Sequence, residues 1–337
     1  MRSIQMGSVV ALVATLGTAA CTVDGSAHDS VDETMLHELA ASPPALVSRA
    51  ELDAAFTSVD NDEVLGVDKI RNGADIDFDD GFGRGVVLLP NGCTAQVINR
   101  WFLLTAGHCM AGILPFGVGD LVVQFTQSSG PAVTVYAGTA LGWAQEGWEL
   151  NFKDAAMILL VDGMDTCDGD LIDCEGTQLP NNAVFQWFRA GGPQFLFPQY
   201  TIAGYGTTDD ANGFGTLRMA TMSRADSLFN GDNTGLAHVL TWSDPLQPRP
   251  CKGDSGGPLV TPMLRLLHTG IASGEDSCLP DAGLVTYSGL TEAQLIFVAT
   301  FLIDMRSNFG LPFDCGLGFD DANGLGVLHC DNDGTLH

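Results

Sequence analysis

The sequence predicts an all-β fold over residues 70–309 of the 337-residue chain, with two packed six-stranded antiparallel barrels and a C-terminal helix. About 240 residues are enough for two such barrels. Short runs rich in β-branched and aromatic residues recur there, separated by glycine-rich turns. Residues 291–308 instead repeat apolar side chains at helical spacing, which predicts the closing helix. The predicted strands lie within residues 84–89, 95–104, 121–125, 133–136, 237–242 and 264–272. The apolar helix positions are Leu295, Val298, Phe301 and Leu302.

Residues 1–20 have the pattern of an export signal. Arg2 is followed by an apolar segment over residues 9–20 that is too short to span a bilayer. Thr18-Ala19-Ala20-Cys21 resembles a bacterial lipobox, which implies a lipid anchor on Cys21. The alternative is ordinary cleavage after Ala20, leaving Cys21 as a thiol. Both interpretations predict an exported protein, either extracellular or anchored outside the cytoplasm, and the resemblance to a lipobox implies a bacterial one.

Residues 21–69 are acidic and poor in glycine, which favours a pro-segment over a second domain. The whole chain has 41 acidic and 14 basic residues and a net charge of −27. Such a charge argues against binding to nucleic acids or anionic membranes. We therefore expect no nucleic-acid partner. We also expect the exported protein to be a monomer.

The stretch from Gly253 to Pro258, G-D-S-G-G-P, predicts a nucleophilic serine at Ser255. Its glycines permit tight turns in which the N–H groups of Gly253 and Ser255 point to one place beside the hydroxyl, forming an oxyanion hole. A serine hydroxyl also needs a base and a group that orients the base. His108, in T-A-G-H-C, is the candidate base, and Asp154, which opens an apolar run, is the candidate orienting acid.

Each motif alone has a more ordinary interpretation. The serine stretch fits a glycine turn, or the G-x-S-x-G elbow of α/β-hydrolases, in which the histidine follows the serine. His108 alone fits a structural histidine, and Asp154 alone an acid at the start of a strand. The three histidines after Ser255 lie in no recognisable motif, and the sequence has no zinc or phosphate-loop motif, so we expect no metal and no cofactor. These histidines are His268, His329 and His337.

Taken together and in this order, the three motifs resemble those of trypsin-like (chymotrypsin-fold) serine proteases, over residues 70–308. The resemblance implies that the first barrel carries His108 and Asp154, the second carries Ser255, and the cleft lies between them. It implies a serine endopeptidase that cleaves proteins or peptides through an acyl-enzyme. The alternative is an inactive protease-like binding protein, which would need a defect outside these three residues.

Residues 69–73, K-I-R-N-G, resemble the activation site of the family's zymogens. The resemblance implies that another protease cuts after Lys69 and that the new amine of Ile70 pairs with Asp254, which orders the oxyanion loop. Arg71 stands where an aliphatic residue is usual. The alternative is that Lys69 is a basic residue in an exposed linker.

The same resemblance puts Arg249, six residues before Ser255, at the base of the substrate pocket, where an aspartate accompanies preference for Lys or Arg. We therefore expect poor cleavage after Lys or Arg, and a preference for acidic side chains if no pocket carboxylate neutralises Arg249. The other expected pocket residues are Lys252, Ser273, Gly274 and Glu275. The candidate neutralising acids are Glu275, Asp276 and Asp281.

The chain has nine cysteines, an odd number for an exported protein. By resemblance to the family, Cys93 pairs with Cys109 and Cys251 with Cys278. The economical local pairs among the rest are Cys167 with Cys174 and Cys315 with Cys330, although sequence leaves their connectivity open, and Cys21 is left over. Residues 310–337 are predicted as a disulfide-closed, solvated tail, because the calcium-binding frame that 331–334 (D-N-D-G) suggests is incomplete.

Overall fold

The computed structural model describes residues 70, 72–76, 85–110, 118–125, 133–145, 152–164, 184–188, 197–206, 216–229, 235–244, 246–260, 267–273, 283–313, 315–320 and 325–330. The predicted export signal, the pro-segment and Lys69 lie outside these residues. So do four of the nine cysteines, namely Cys21, Cys167, Cys174 and Cys278.

Strands dominate the described part of the chain. They are β1 Ala74–Asp75, β2 Val86–Leu88, β3 Thr94–Asn99, β4 Phe102–Thr105, β5 Val118–Phe125, β6 Val133–Ala144, β7 Ala156–Leu160, β8 Val184–Phe188, β9 Gln199–Gly204, β10 Arg218–Phe229, β11 Leu236–Trp242, β12 Pro258–Val260, β13 Leu267–Ala272, β14 Gly283–Gly289, β15 Cys315–Asp320 and β16 Leu325–Cys330. The helices are α1 Gly107–Met110 and α2 Glu292–Phe309.

The first barrel closes through the strand order β2-β3-β4-β7-β6-β5, with every pair antiparallel. Residues 95–104 were predicted as one strand, but they form β3 and β4 with a turn between them. The side-chain Oδ1 of Asn99 accepts hydrogen bonds from the N–H groups of Trp101 and Phe102, which stabilises that turn within an apolar run. The barrel interior is apolar and includes Val97, Leu103 and Ile158, all completely buried.

The second barrel closes through β9-β10-β11-β14-β13-β12, because β12 pairs with both β13 and β9. All six pairings are antiparallel. Strand β1 adds to β10 from outside the barrel. The predicted fold of two six-stranded barrels is therefore confirmed.

Helix α2 follows the second barrel, as predicted. Thr291 is its N-cap and forms a capping box with Gln294, and Gly310 ends it in the left-handed conformation. The four predicted apolar positions are all buried, with exposed fractions of 6% or less. Among the described residues no helix is both long and apolar enough to cross a membrane.

The segment after α2 forms a hairpin, contrary to the predicted solvated tail. Strands β15 and β16 pair with each other, and β16 pairs with β8, which runs parallel to β13 of the second barrel. Phe313 packs its ring against Trp101 and Phe102 of the first barrel. The hairpin thus extends the sheet of one barrel while its apolar residues enter the core of the other. Sequence reasoning missed it because both contacts join segments far apart in the chain.

Candidate active site

His108 lies in α1, the short helix that follows β4, where a disulfide from Cys93 to Cys109 closes the chain around it. Its side chain is about one-third exposed, whereas that of Asp154 is 10% exposed. Asp154 Oδ1 accepts the backbone N–H of His108 at 2.9 Å, and Oδ2 lies 2.7 Å from His108 Nδ1. A carboxylate oxygen only accepts hydrogen bonds, so His108 Nδ1 carries a proton, and in the neutral ring Nε2 then carries the lone pair.

The second barrel and α2 hold the loop that carries Asp154. The N–H of Asp154 donates to Ser288 Oγ at 3.2 Å, and Ser288 Oγ donates to Ser273 Oγ at 3.3 Å. Two residues before Asp154, Phe152 has a φ of 57°, which is unusual for a large side chain. Its carbonyl accepts a hydrogen bond from Gln294 Nε2 at 3.2 Å. The acid of one barrel is thus positioned by residues that follow the serine in sequence.

The loop of Ser255 has the backbone that its glycines predict. Gly253 has a φ of 102° and Gly256 a φ of 83°, both in the region that favours glycine. A Cβ on Gly256 would lie 2.1 Å from Thr105 Oγ1 and from the carbonyl oxygen of Thr94. No residue larger than glycine fits there without displacing the first barrel.

The side chain of Asp254 points into the protein, where it is 2% exposed. Its carboxylate accepts the N–H of Cys251 at 2.6 Å and that of Gly206 at 2.8 Å. Burial raises the pKa of Asp254 to about 6, although these two hydrogen bonds and the charge of Arg218 oppose the rise. The pKa of Tyr287 is raised by its burial and, in addition, by the negative charge of Asp254.

A comparison with models of protein families identifies the family to which this fold belongs. The family model described as Trypsin matches residues 83–289, more than half of the chain. The chain belongs to the trypsin family. A search of curated proteins found no match. The match spans His108, Asp154 and Ser255, and it ends before α2 and the C-terminal hairpin.

In this trypsin-family chain, Ile70 is 2% exposed and packs in the core of the second barrel with Tyr200, Leu240 and Tyr287. Its carbonyl accepts a hydrogen bond from the N–H of Gly73 at 2.8 Å. The turn places Ile70, the first residue after the predicted cut, inside the barrel that carries Asp254.

The structure places three of the five predicted pocket residues. Arg249 is completely buried, Lys252 is exposed and Ser273 is partly buried. Gly274 and Glu275 lie outside the described residues, as do the other two acids considered as partners of Arg249.

Two of the four predicted disulfides lie within the described residues and are confirmed, namely Cys93–Cys109 and Cys315–Cys330. Cys251 is disulfide-bonded, and its predicted partner lies outside the described part. The side chains of Cys93, His108 and Cys109 have their ligand atoms within 4.8 Å of one another. The two sulfurs are bonded to each other, so this cluster offers no thiolate to a metal.

Besides the residues that hold the loop of Asp154, sequence reasoning missed Thr94 and Gln96 on β3. Both are completely buried polar side chains, and both contact the loop of Ser255. The available signal was the alternation of polar Thr94 and Gln96 with apolar Ala95 and Val97 directly after Cys93. Such alternation gives a strand one apolar face and one polar face, and here the second barrel covers the polar face.

Proposed function

We propose that the chain is a serine endopeptidase that hydrolyses peptide bonds through Ser255, His108 and Asp154. The observation that carries this proposal is the two-point contact of Asp154 with the backbone and the ring of His108. That contact fixes the ring orientation and the tautomer that a general base requires. The glycine conformations around Ser255 support the same role.

In the proposed reaction, His108 Nε2 takes the proton of Ser255 Oγ as that oxygen attacks the carbonyl carbon of the scissile bond. The N–H groups of Gly253 and Ser255 stabilise the negative charge that develops on the carbonyl oxygen. The imidazolium, stabilised by Asp154, then protonates the leaving amine and leaves an acyl-enzyme on Ser255. Water, deprotonated by His108, hydrolyses the ester and restores the serine.

Labelling with a phosphonofluoridate tests the proposal directly. The activated chain should bind one equivalent covalently at Ser255, located by mass spectrometry of the peptides. Ser255→Ala is the matched control and should bind none. A correctly cleaved and folded chain that takes no label would instead favour the protease-like binding protein.

We also propose that the protein is made as a zymogen that another protease cleaves after Lys69. The burial of Ile70 supports this, because Ile70 shares an apolar cluster of the second barrel with Tyr287, on whose pKa the charge of Asp254 acts. Asp254 is a buried carboxyl, and within the described residues no salt bridge joins it to a lysine or arginine. The positively charged amine of Ile70, placed beside Asp254, would stabilise the ionised form of this carboxyl.

The activation proposal is tested with Lys69→Gln. This variant should fold but remain almost inactive after treatment with the activating protease. Arg71→Gln is the control, since it removes a nearby positive charge and keeps the proposed cut. Full activity in a chain whose N-terminus still lies upstream of Lys69 would contradict the proposal.

The substrates proposed for this site are proteins or peptides with side chains other than Lys or Arg before the scissile bond. The position of Arg249 supports this, because it stands six residues before Ser255, where the resemblance to the family expects an aspartate in an enzyme that prefers Lys or Arg. The activating protease is then a different enzyme. We further propose that the chain is exported and monomeric, and that Cys21 carries a lipid anchor.

A further inference from the structure

Thr94 links the first barrel to two separate segments of the second. Its hydroxyl accepts the N–H of Tyr205 at 3.1 Å and donates to the carbonyl of Gly253 at 2.8 Å. Its own N–H donates to the carbonyl of Ser255 at 2.8 Å. The side chain is completely buried, so water does not compete for these contacts. One hydroxyl therefore connects the end of β9 with the serine loop.

The carbonyl of Gly253 matters because Gly253 also carries an N–H of the proposed oxyanion hole. With a φ of 102° and no Cβ, Gly253 has little steric preference for this orientation over others. A hydrogen bond to its carbonyl restricts rotation about the backbone bonds of this residue. It thereby restricts the direction in which the N–H points. The relay from Tyr205 N–H through the hydroxyl to Gly253 is also polarised in one direction, which strengthens both bonds.

A second contact from β3 holds the other end of the loop. Gln96 Nε2 lies 3.2 Å from the carbonyl oxygen of Gly256 and 3.3 Å from that of Gly270. Its Oε1 is 2.8 Å from Nδ1 of the buried His268. Burial lowers the pKa of His268 to about 3, so the ring is neutral near pH 7 and Nδ1–H donates to Gln96. The serine loop is thus fixed on both sides of Ser255.

We propose that Thr94 is a positioning residue for the oxyanion hole, whose hydroxyl keeps the N–H of Gly253 directed at the reacting carbonyl oxygen. The inference rests on the proposed peptidase function. It assigns to a side chain of the first barrel the orientation of a backbone donor in the second. Thr94 does not touch the substrate and acts through Gly253.

Thr94→Val tests this, because it keeps the shape of the side chain and removes the hydroxyl. Loss of a whole oxyanion donor costs about 100- to 1000-fold in kcat, so a misdirected donor should cost about 10- to 100-fold. KM should change less than about threefold, because an interaction made only in the transition state is weakened. Binding of a peptide aldehyde, which forms the tetrahedral adduct, should weaken by a similar factor as kcat.

Two variants separate positioning from a general structural effect. Thr94→Ser keeps the hydroxyl and should restore most of kcat. Thr269→Val is the matched control, because Thr269 is equally buried and its hydroxyl donates to the carbonyl of Leu259. It should lower the melting temperature and leave kcat unchanged. If Thr94→Val does not fold, the comparison of Thr94→Ala with Thr94→Ser gives the same information.

If the wild type is active and Thr94→Val has the same kcat, the inference about Thr94 is overturned and the proposed peptidase function is not. The same holds for Thr94→Ala where that variant is used. The inference would also be overturned if Thr94→Ser lost as much kcat as the variant without the hydroxyl. It would be overturned as well if that variant lost no more affinity for the aldehyde than Thr269→Val does. A wild type that neither hydrolyses peptides nor takes the serine label would remove the proposed function as well.

Discussion

The buried carboxyl of Asp254 predicts that the uncleaved chain loses stability as the pH rises. Burial raises its pKa from the ordinary 3.8 to about 6, so the folded chain holds this proton more tightly than the unfolded chain. The stabilisation is fully present below pH 3.8 and is lost as the pH rises through about 6. At about 1.4 kcal/mol for each tenfold change in the protonation equilibrium, the ionised carboxylate costs the fold about 3 kcal/mol.

Urea unfolding at several pH values measures this cost. Both chains should carry Ser255→Ala, which prevents self-cleavage, and one should also carry Asp254→Asn. An asparagine has one side-chain oxygen in place of the two that accept these N–H groups, so it shifts stability. Because its amide does not titrate, that shift does not depend on pH. Between about pH 4 and about pH 8, the chain with Asp254 should therefore lose up to about 3 kcal/mol of unfolding free energy relative to the chain with Asp254→Asn.

After cleavage before Ile70, the pH dependence of this difference in unfolding free energy should change sign. A paired amine lowers the pKa of Asp254, so its contribution becomes present at high pH and is lost as the pH falls. A difference that stays constant with pH in the uncleaved chain would refute the reasoning about Asp254. A slope that is the same before and after cleavage would refute the proposed pairing with Ile70.

Three further predictions concern the remaining groups. Asp154→Asn should fold and lose about 10⁴-fold in kcat, because the amide favours the wrong tautomer of His108; steady-state kinetics and circular dichroism check both statements. A peptide library should show poor cleavage by the activated chain after Lys or Arg, and strong cleavage there would mean that the charge of Arg249 is neutralised or that its side chain points out of the pocket. Cys21→Ser should move the protein from the membrane fraction to the soluble fraction. An unmodified mature N-terminus in the mass spectrum would exclude the anchor.

The sequence predicted what is encoded locally. The glycine conformations around Ser255 follow from residue type alone, and the apolar face of α2 follows from its helical spacing. The motif of His108 sits beside the disulfide that the resemblance to the family implied.

Contacts between distant segments were not predictable in this way. Ser288 and Gln294 reach the loop of Asp154 only after the second barrel and α2 have formed. The contact of Gln96 with Gly256 similarly joins two barrels. In β3 and β4, the polar contact of Asn99 with the following backbone outweighed the continuous apolar pattern, so one predicted strand became two.

The packing of Phe313 against β4 of the first barrel constrains how the chain folds as it is made. The strands of that barrel are complete at Leu160, but Trp101 and Phe102 pack against rings that emerge from the ribosome much later. Until then the N-terminal half keeps aromatic surface exposed, and it cannot reach its final packing independently. The first barrel therefore completes its outer packing only after the C-terminal segment has been made.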